Sequence, residues 1–365
     1  MKRYLSLDIL RGLTVAMMII VNNPGSWSCI YPILRHASWD GCTPCDLVFP
    51  FFLFCVGVSM VFAFAKFPGL TTDALKKILR RGVLMYLVGL LLNAFPFYPT
   101  TQNPELTFWQ NWLHWVQHLR LMGVLPRIAL CYVLGSVLVL WLRTSKRLMT
   151  AVGVLCALHV GLLLLFAGPE GAFTLEGNFA RRLDQAVLGL NHVYNGYPLP
   201  FEPEGFLGTL TGTATVLLGY MVGSLVRKST PLEASPKVFS LSAAMLLGGL
   251  ALSLVIPLNK PLWSASYVFY TAGWASFVFA LLIYIVDVRG YEKPFTLFRA
   301  LGMNALALFV LSGLLSKIIW IYTDWDFIAI FGRTEFLSLC YAVLFLIIHL
   351  VVAVFLFRKK IFIKL

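Results

Sequence analysis

Residues 46–66 read DLVFPFFLFCVGVSMVFAFAK. After its opening aspartate, this stretch carries no charged side chain until Lys66. The hydrocarbon core of a bilayer is about 30 Å thick, and a helix needs about 20 mostly apolar residues to cross it. The stretch therefore predicts a membrane-spanning helix, and the same pattern recurs along the chain.

The composition of the whole chain agrees with this prediction. Of the 365 residues, 59% are hydrophobic and only 12% are charged, whereas an ordinary soluble domain carries about 25% charged residues. A globule of this size could not bury so many apolar side chains, so lipid must cover many of them. The composition excludes a soluble enzyme, a disordered chain and a secreted module built from disulfides.

Ten such runs are predicted to be membrane-spanning helices. They lie at about 8–25, 47–66, 77–95, 125–142, 148–167, 207–226, 238–257, 265–287, 297–319 and 335–357. We therefore expect an all-α fold: a polytopic bundle of about ten transmembrane helices in a single domain, 1–365. Asp8 and Arg11 interrupt the first run and no small-residue cleavage site follows it, which argues against a cleavable signal peptide.

The basic residues behind the net charge of +13 are concentrated in alternate loops along the chain. Lys and Arg collect in cytoplasmic loops, and ten spans place both termini and every even-to-odd connection on one side. That side holds 20 of the 29 basic residues, while the opposite side and its membrane edge hold eight. The pattern predicts that both termini are cytoplasmic, and it explains the charge without a nucleic-acid partner.

The loops on the predicted outer side are longer and richer in Trp, Tyr, His, Asn and Pro. They are 26–46, 96–124, 168–206, 257–264 and 320–334. Their Trp side chains fit either an aromatic belt at the membrane interface or a wall on which a sugar stacks. Because function tends to lie on loops held by a rigid scaffold, we expect the chemistry on this outer side.

Three polar residues of the first outer loop are candidates for that chemistry. His36 has a side chain whose ordinary pKa, near 6.5, suits proton transfer at neutral pH, although a lone loop histidine is more often a surface residue. Asn22 either caps the first helix or donates a hydrogen bond to a developing oxyanion. Asp46 either caps the second helix or orients a histidine or an amine.

Other polar groups on this side have competing interpretations. The CxxC of residues 42–45 fits a redox pair or a local disulfide. His114 and His118 are spaced to share a helical face, but no third ligand accompanies them, so no metal site is predicted. Arg120 and Arg127 either bind phosphate or carboxylate or form salt bridges with acidic residues of the outer loops.

Several motifs resemble the heparan-α-glucosaminide N-acetyltransferase family of multispanning acyltransferases. The resemblance extends from residue 6 to about residue 305, and the first-loop and NKPLW motifs are its most specific parts. The matching stretches are SLDILRG (6–12), VNN (21–23), HASWDG (36–41), DLVFPF (46–51), LRLMGVLPR (119–127), PLNKPLWS (257–264), SYV (266–268) and LGMNA (301–305).

The resemblance implies that acetyl-CoA in the cytoplasm donates an acetyl group to a glucosamine-type amine on the far side of the membrane. It also implies that His36 is the active-site histidine and Asn22 the active-site asparagine. We then expect His36 to act as the catalytic base or a transient acetyl carrier, Asn22 to stabilise the oxyanion, and Asp46 to orient His36 or the acceptor amine. The residues then expected to bind substrates are Asn23, Trp39, Asp40, Arg120, Arg127, Asn259, Lys260, Trp263 and Asn304.

This interpretation carries further expectations and two departures. Acetyl-CoA is expected as co-substrate, with an amino-sugar or glycan acceptor, surrounding lipid, no metal and no nucleic acid; a homodimer is left open. The absence of a targeting segment or luminal domain favours a bacterial inner membrane. The family pattern lacks the Cys42–Cys45 pair, and relatives usually have Gln at the position of Pro126.

Two other functions remain open at this point. Ten spans would also suit an amino-sugar transporter, although no internal repeat is visible and few charges lie within the spans. An O-acyltransferase acting on a surface glycan would need the same base and oxyanion donor, so the sequence does not separate it from N-acetylation.

Overall fold

The structure, a computed structural model, describes residues 4–100, 103–322, 331 and 333–363. Lys2, Arg3 and Lys364 of the predicted cytoplasmic side, and most of the outer loop 320–334, lie outside the described residues. The described chain is all-α, as predicted, with a single isolated β-bridge between two loops. Its helices are α1 Leu5–Asn22, α2 Val48–Ala63, α3 Thr72–Ala94, α4 Phe108–Gln117, α5 Val124–Leu142, α6 Ser145–Leu165, α7 Phe179–Leu188, α8 Phe206–Lys228, α9 Pro231–Ser253, α10 Ala265–Leu282, α11 Thr296–Met303, α12 Ala305–Tyr322 and α13 Glu335–Arg358.

Within the described residues, nine helical segments are long and apolar enough to cross a membrane. They correspond to nine of the ten predicted runs. The remaining run, 77–95, lies in α3, which is long enough but carries Lys77, Arg80 and Arg81 in its first half. Those charges dilute the apolar character of α3, so its membrane crossing stays a prediction.

Several predicted boundaries differ from the observed helix ends. The largest difference is at α9, which begins at Pro231 instead of 238, and two others have identifiable reasons. The first run, 8–25, ends as a helix at Asn22, two residues before Pro24, which disfavours its continuation. The ninth run, 297–319, is divided into α11 and α12 at Asn304. The Asn304 side chain donates to the carbonyl of Ile361 at 3.1 Å and accepts from the amide of Ile363 at 2.9 Å, so it binds the C-terminal segment at the break.

The centre of the bundle is α8, which packs against α2, α5, α6 and α10. Small residues allow the closest approaches, as is common where helices pack within membranes. A Cβ at Gly57 of α2 would collide with the backbone of Val216, and one at Gly219 of α8 would collide with the backbone of Phe54. The two backbones are therefore in direct contact, which fixes α2 and the loop that precedes it.

Loops that the charge pattern predicts to lie on the same side of the membrane contact each other at the same end of the bundle. At one end, the Tyr4 hydroxyl donates to the carbonyl of Val226 at 3.1 Å, and the C-terminal segment lies against Asn304. At the other end, the Trp39 indole donates to the carbonyl of Phe173 at 2.7 Å. The long loops therefore meet at one end of the bundle, where the predicted catalytic residues lie.

Candidate active site

Asp46 lies at the start of α2, where a short turn over Pro44–Leu47 leads into the helix. One oxygen of its buried carboxylate accepts hydrogen bonds from the amides of Thr43 and Ala37, at 3.0 and 3.1 Å. The Thr43 amide bond completes a capping box with the Asp46 amide. These bonds fix the carboxylate, and they leave its other oxygen facing the loop histidine.

The second oxygen of the Asp46 carboxylate contacts the His36 imidazole. Nδ1 of His36 lies 2.6 Å from Oδ1 of Asp46, and the imidazole side chain is 42% exposed. A carboxylate at Nδ1 favours the tautomer that carries its proton there, which leaves the Nε2 lone pair free to accept a proton. The two alternatives for Asp46, capping a helix and orienting a histidine, are thus both present in one side chain.

Lys260 reaches the same imidazole from a distant part of the chain. Its Nζ lies 3.0 Å from Nδ1 of His36 and 3.3 Å from Oδ1 of Asp46. The buried Asn259 holds the Lys260 loop, because its amide nitrogen donates to Oδ1 of Asp40 at 3.0 Å and its oxygen accepts from the Leu262 amide at 2.7 Å. Asp40 and Asn259, two predicted substrate-binding residues, therefore connect the two loops.

Cys45 completes the group around His36. Its Sγ lies 3.1 Å from Nδ1 and 3.5 Å from Nε2 of His36, and the residue is 1% exposed. Both Cys42 and Cys45 are free thiols. Burial raises the pKa of the Cys42 thiol to about 12, and the Asp46 carboxylate adds to that rise. A raised pKa keeps Cys42 protonated, which does not suit the redox pair considered from its spacing.

An outer cavity of about 150 Å³ opens beside the imidazole. Its polar lining comes from Asn22, His36, Cys45, Glu204 and Lys260. Asn22, the last residue of α1, is exposed and lines this cavity. The structure therefore brings together Asn22, His36 and Lys260, which the sequence proposed separately.

A second, inner cavity of about 150 Å³ lies next to the first, on the side toward the opposite end of the bundle. The two cavities share wall residues Phe52, Ile128 and Leu306. Arg11 and Arg81 supply the positive charge of the inner cavity. Nε of Arg81 is buried without a hydrogen-bond partner among the described residues, so this cation has donor capacity left over.

Arg120 is held by acidic residues of the outer loops, the second of the two alternatives considered for it. Its guanidinium donates to both oxygens of Glu202, at 2.9 and 2.5 Å, and to Glu204 at 2.5 Å. Burial raises the pKa of Glu204, but the positive charges of Arg120, Arg127 and Lys260 together lower it by more than burial raises it. The net shift of its pKa is therefore downward. Arg120 thereby holds an ionised Glu204 at the wall of the outer cavity.

Arg127 and Trp263 form a buried pair away from the imidazole. The Arg127 guanidinium lies 4.5 Å from the Trp263 ring centroid and donates to the carbonyl of Pro203 at 2.6 Å. The Trp263 indole donates to Oγ1 of Thr215 at 3.2 Å. Neither residue lines the outer cavity described above, so their predicted substrate contacts have no support from this geometry.

Three other predicted binding residues also lie outside the outer cavity. The buried Asn23 amide donates to the carbonyl of Ile19 at 2.8 Å and so stabilises the end of α1. Trp39 lines a separate surface cleft of about 400 Å³ together with Asp40 and Glu176. Asn304 lies at the other end of the bundle, on the C-terminal segment.

The two sequence-spaced histidines form no metal site in the described residues. The rings of His114, on α4, and His118, directly after it, stack with their centroids 4.0 Å apart, and no group of three potential metal ligands is found among the described residues. In contrast, sequence reasoning left Cys45 and Glu204 out of the predicted site. For Cys45 a signal was available, because it directly precedes Asp46; for Glu204, only the fold reveals its proximity to His36.

Comparisons with known proteins agree with the resemblance seen in the motifs. A family model described as "Heparan-alpha-glucosaminide N-acetyltransferase, catalytic" matches residues 3–256. A human protein named heparan-alpha-glucosaminide N-acetyltransferase is 27% identical over 363 aligned residues, which cover 84% of this chain and 52% of the relative. Its mouse counterpart is 28% identical over 359 residues, covering 83% and 52%. The chain spans about half the length of these curated relatives.

Proposed function

The chain belongs to the heparan-α-glucosaminide N-acetyltransferase catalytic family, and from this premise we propose that it is a transmembrane acetyltransferase. Acetyl-CoA in the cytoplasm is the donor, and the amine of a glucosamine-type sugar on the outer side is the acceptor. The observation that carries the proposal is the pairing of His36 with Asp46, 2.6 Å apart, beside a cavity that shares wall residues with a second, inner cavity.

The imidazole is placed to act as a general base. Asp46 holds Nδ1 of His36, so Nε2 accepts the proton of the attacking amine as the new C–N bond forms and the thioester C–S bond breaks. The Asn22 amide, on the cavity wall, donates to the oxygen that becomes negative, a contribution of about 3–4 kcal/mol where one such donor has been removed. The Lys260 ammonium balances the buried Asp46 carboxylate, 3.3 Å away.

The inner cavity suits the donor substrate. The phosphates of CoA are anionic, and Arg11 and Arg81 line this cavity, with Nε of Arg81 still free to donate. Arginine is well suited to bind phosphate, because its planar fork can donate two hydrogen bonds. The pantetheine arm then passes the side chains of Phe52, Ile128 and Leu306, which both cavities share, and brings the thioester to His36.

The surface cleft beside the loop suits the acceptor. Trp39 offers an aromatic face, and Asp40 and Glu176 offer carboxylates that attract an amine and accept hydrogen bonds from hydroxyls. Trp39 belongs to the same loop as His36, three residues further along the chain. The charge distribution of the loops supports the outer placement of this cleft.

The first prediction tests the base. In proteoliposomes supplied with labelled acetyl-CoA and glucosamine, we expect His36→Ala to lower the rate of acetyl transfer about 100-fold or more, because the proton acceptor is lost. His114→Ala, which removes an exposed histidine from α4, is the matched control and should keep the wild-type rate.

A folded His36→Ala protein with full transfer activity would show that the assigned role is wrong. Mass spectrometry of the products from amine- and hydroxyl-bearing sugars distinguishes N-acetylation from O-acetylation. If only O-acetylated products form, the acceptor group is a hydroxyl instead of an amine, and the role of His36 as base is unchanged. Uptake of sugar without any need for acetyl-CoA would instead support a transporter.

A further inference from the structure

We propose that Glu204 binds the reacting amine of the acceptor, as an ammonium ion, in the cavity that contains His36. This inference rests on the proposed acetyl transfer and deepens it, because it makes Glu204 the residue that selects an amino sugar over a neutral sugar. Glu204 lies outside the motifs that carry the family resemblance. The proposal depends on where the fold places this carboxylate and on which hydrogen bonds it already makes.

Two glutamates share the guanidinium of Arg120, but only one of them reaches the outer cavity. Nε and Nη2 of Arg120 donate to the two carboxylate oxygens of Glu202, whose side chain is 0% exposed. Oε2 of Glu204 accepts from the same Nη2 at 2.5 Å, and the Glu204 side chain remains 12% exposed. Within the described residues Oε1 of Glu204 accepts no hydrogen bond, so this oxygen is open to a donor from a ligand.

The other nearby cations keep Glu204 ionised without binding it. The Lys260 ammonium pairs with Asp46 at 3.3 Å, and Arg127 donates to a backbone carbonyl at 2.6 Å. In the part of the chain that the structure describes, neither cation forms a hydrogen bond with Glu204. Burial raises the pKa of Glu204, but these two charges and that of Arg120 lower it by more. Arg120 thus faces two carboxylates with one positive charge, which leaves Glu204 able to bind a further cation.

The position of Glu204 relative to the base suits this role. Glu204, His36 and Asn22 line the same outer cavity, which measures about 150 Å³. A group bound by Glu204 therefore occupies the space that the proposed base and oxyanion donor also border. Hydrogen bonds from an ammonium to a carboxylate are short, about 2.7–2.9 Å, so the carboxylate holds the amine nitrogen within this small space.

The loop that carries Glu204 also contacts the surface cleft proposed for the sugar. The Trp39 ring meets the rings of Tyr197 and Phe201 edge-on, with centroids 5.9 and 5.4 Å apart. Phe201 precedes Glu204 by three residues in this loop. The segment 197–204 therefore packs against Trp39 and also contributes a carboxylate to the cavity of His36, so it joins the two proposed parts of the acceptor site.

The reaction balances with the acceptor bound in this form. The ammonium first loses one proton to solvent, which frees the lone pair of the amine. The nitrogen then bonds to the acetyl carbon, and Nε2 of His36 takes a second proton from it. The C–S bond to CoA breaks, and His36 passes its proton to the CoA sulfur. The products are the amide, the CoA thiol and one proton released to solvent, while Glu204 remains a carboxylate throughout.

The first test removes the charge of Glu204 and keeps its shape. In proteoliposomes, we expect Glu204→Gln to raise the KM for glucosamine at least about 10-fold, because a charge-assisted hydrogen bond is lost. The KM for acetyl-CoA should not change. Glu105→Gln, which alters an exposed carboxylate of another outer loop, is the matched control and should keep both KM values. A folded Glu204→Gln protein with the wild-type KM for glucosamine, or with equal rises in both KM values, would overturn the proposal and leave the proposed function standing.

A second test uses the wild-type protein, so it does not depend on how a variant folds. N,N-dimethylglucosamine carries a protonated amine but cannot form a stable amide, whereas glucose has a neutral hydroxyl at the same position. We expect the first sugar to inhibit glucosamine acetylation at a concentration at least about 10-fold lower than glucose requires. Equal inhibition by the two sugars would show that the site does not recognise the positive charge, and would overturn the role of Glu204. Wild-type protein that acetylates no acceptor would refute the proposed function itself.

Discussion

At the scale of single residues, two buried carboxylates, Asp46 in the site and Asp184 on α7, have different surroundings. Asp46 is buried, yet it accepts hydrogen bonds from two backbone amides and lies beside Lys260. Asp184, on α7, is equally buried but poorly compensated. Its Oδ1 accepts from the Phe206 amide at 2.8 Å, while Oδ2 has no partner among the described residues. Burial without compensation favours the neutral form of a carboxyl group.

Asp184 therefore gives a pH-dependent prediction. Burial raises the pKa of this carboxyl from 3.8 to about 7, and the nearby Glu202 adds to the rise. Between these two values the folded protein binds more protons than the unfolded one, so stability falls as pH rises toward 7, by at most about 1.4 kcal/mol per pH unit. We expect Asp184→Asn, which can still accept from the Phe206 amide, to lose this dependence.

Thermal melting of the two purified proteins checks the prediction. Between pH 5 and pH 8, the midpoint of the wild type should fall more than that of Asp184→Asn. At pH 8 the variant should be the more stable protein. Parallel melting curves across this pH range would mean that Asp184 does not titrate there.

At the scale of helices, the break between α11 and α12 joins the C-terminal segment to the bundle. The Asn304 side chain makes two hydrogen bonds to this segment. It does so at the residue where the helical backbone is interrupted. Nearby, a Cβ at Gly12 of α1 or at Gly302 of α11 would collide with the backbone of the facing helix. The break, the close packing and the C-terminal segment are therefore parts of one structural unit.

Asn304→Ala separates a structural role from the predicted substrate contact. Loss of two partly buried hydrogen bonds should cost about 1–3 kcal/mol and release residues 361–363. Trypsin should then cleave after Lys359 or Lys360 faster than in the wild type, with little change in the KM for either substrate. A raised KM with unchanged proteolysis would instead indicate direct substrate binding by Asn304.

At the scale of the whole molecule, two neighbouring cavities that share wall residues lie between opposite ends of the bundle. Arg11 and Arg81 line the inner cavity and His36 lines the outer one. The loops that contact each other at each end are those that the charge pattern assigns to the same side. This arrangement gives the proposed reaction a direction, from a phosphate-bearing donor at one end to an acceptor at the other.

The direction can be tested by thiol labelling. Glu176 is exposed in an outer loop, and Lys237 is exposed near the start of α9, on the predicted cytoplasmic side. In right-side-out vesicles, a membrane-impermeant maleimide should label Glu176→Cys strongly and Lys237→Cys only after detergent is added, relative to the parent chain. The reverse pattern would invert the topology and place His36 on the cytoplasmic side.

Hydropathy and charge along the chain were enough to predict an all-helical membrane bundle, because crossing a bilayer is a local requirement that about 20 consecutive residues meet or fail together. The same local chemistry identified His36, Asn22 and Asp46 as candidates. One boundary failed at Asn304, where contacts with a distant part of the chain accompany the end of a helix. No local pattern records that contact, since its partners lie 57 and 59 residues away.

The arrangement of the site depended on the fold. Lys260 is 224 residues from His36 and Glu202 is 82 from Arg120, so only the packing of the bundle brings these charges together. Packing also brings Arg120 to the acidic residues with which it forms salt bridges. It brings Asp40 to Asn259, which joins two loops, and the Cys45 sulfur to the imidazole. Hydropathy sums contributions from neighbours along the chain, whereas a cavity and its hydrogen bonds arise between side chains that only three-dimensional packing makes neighbours.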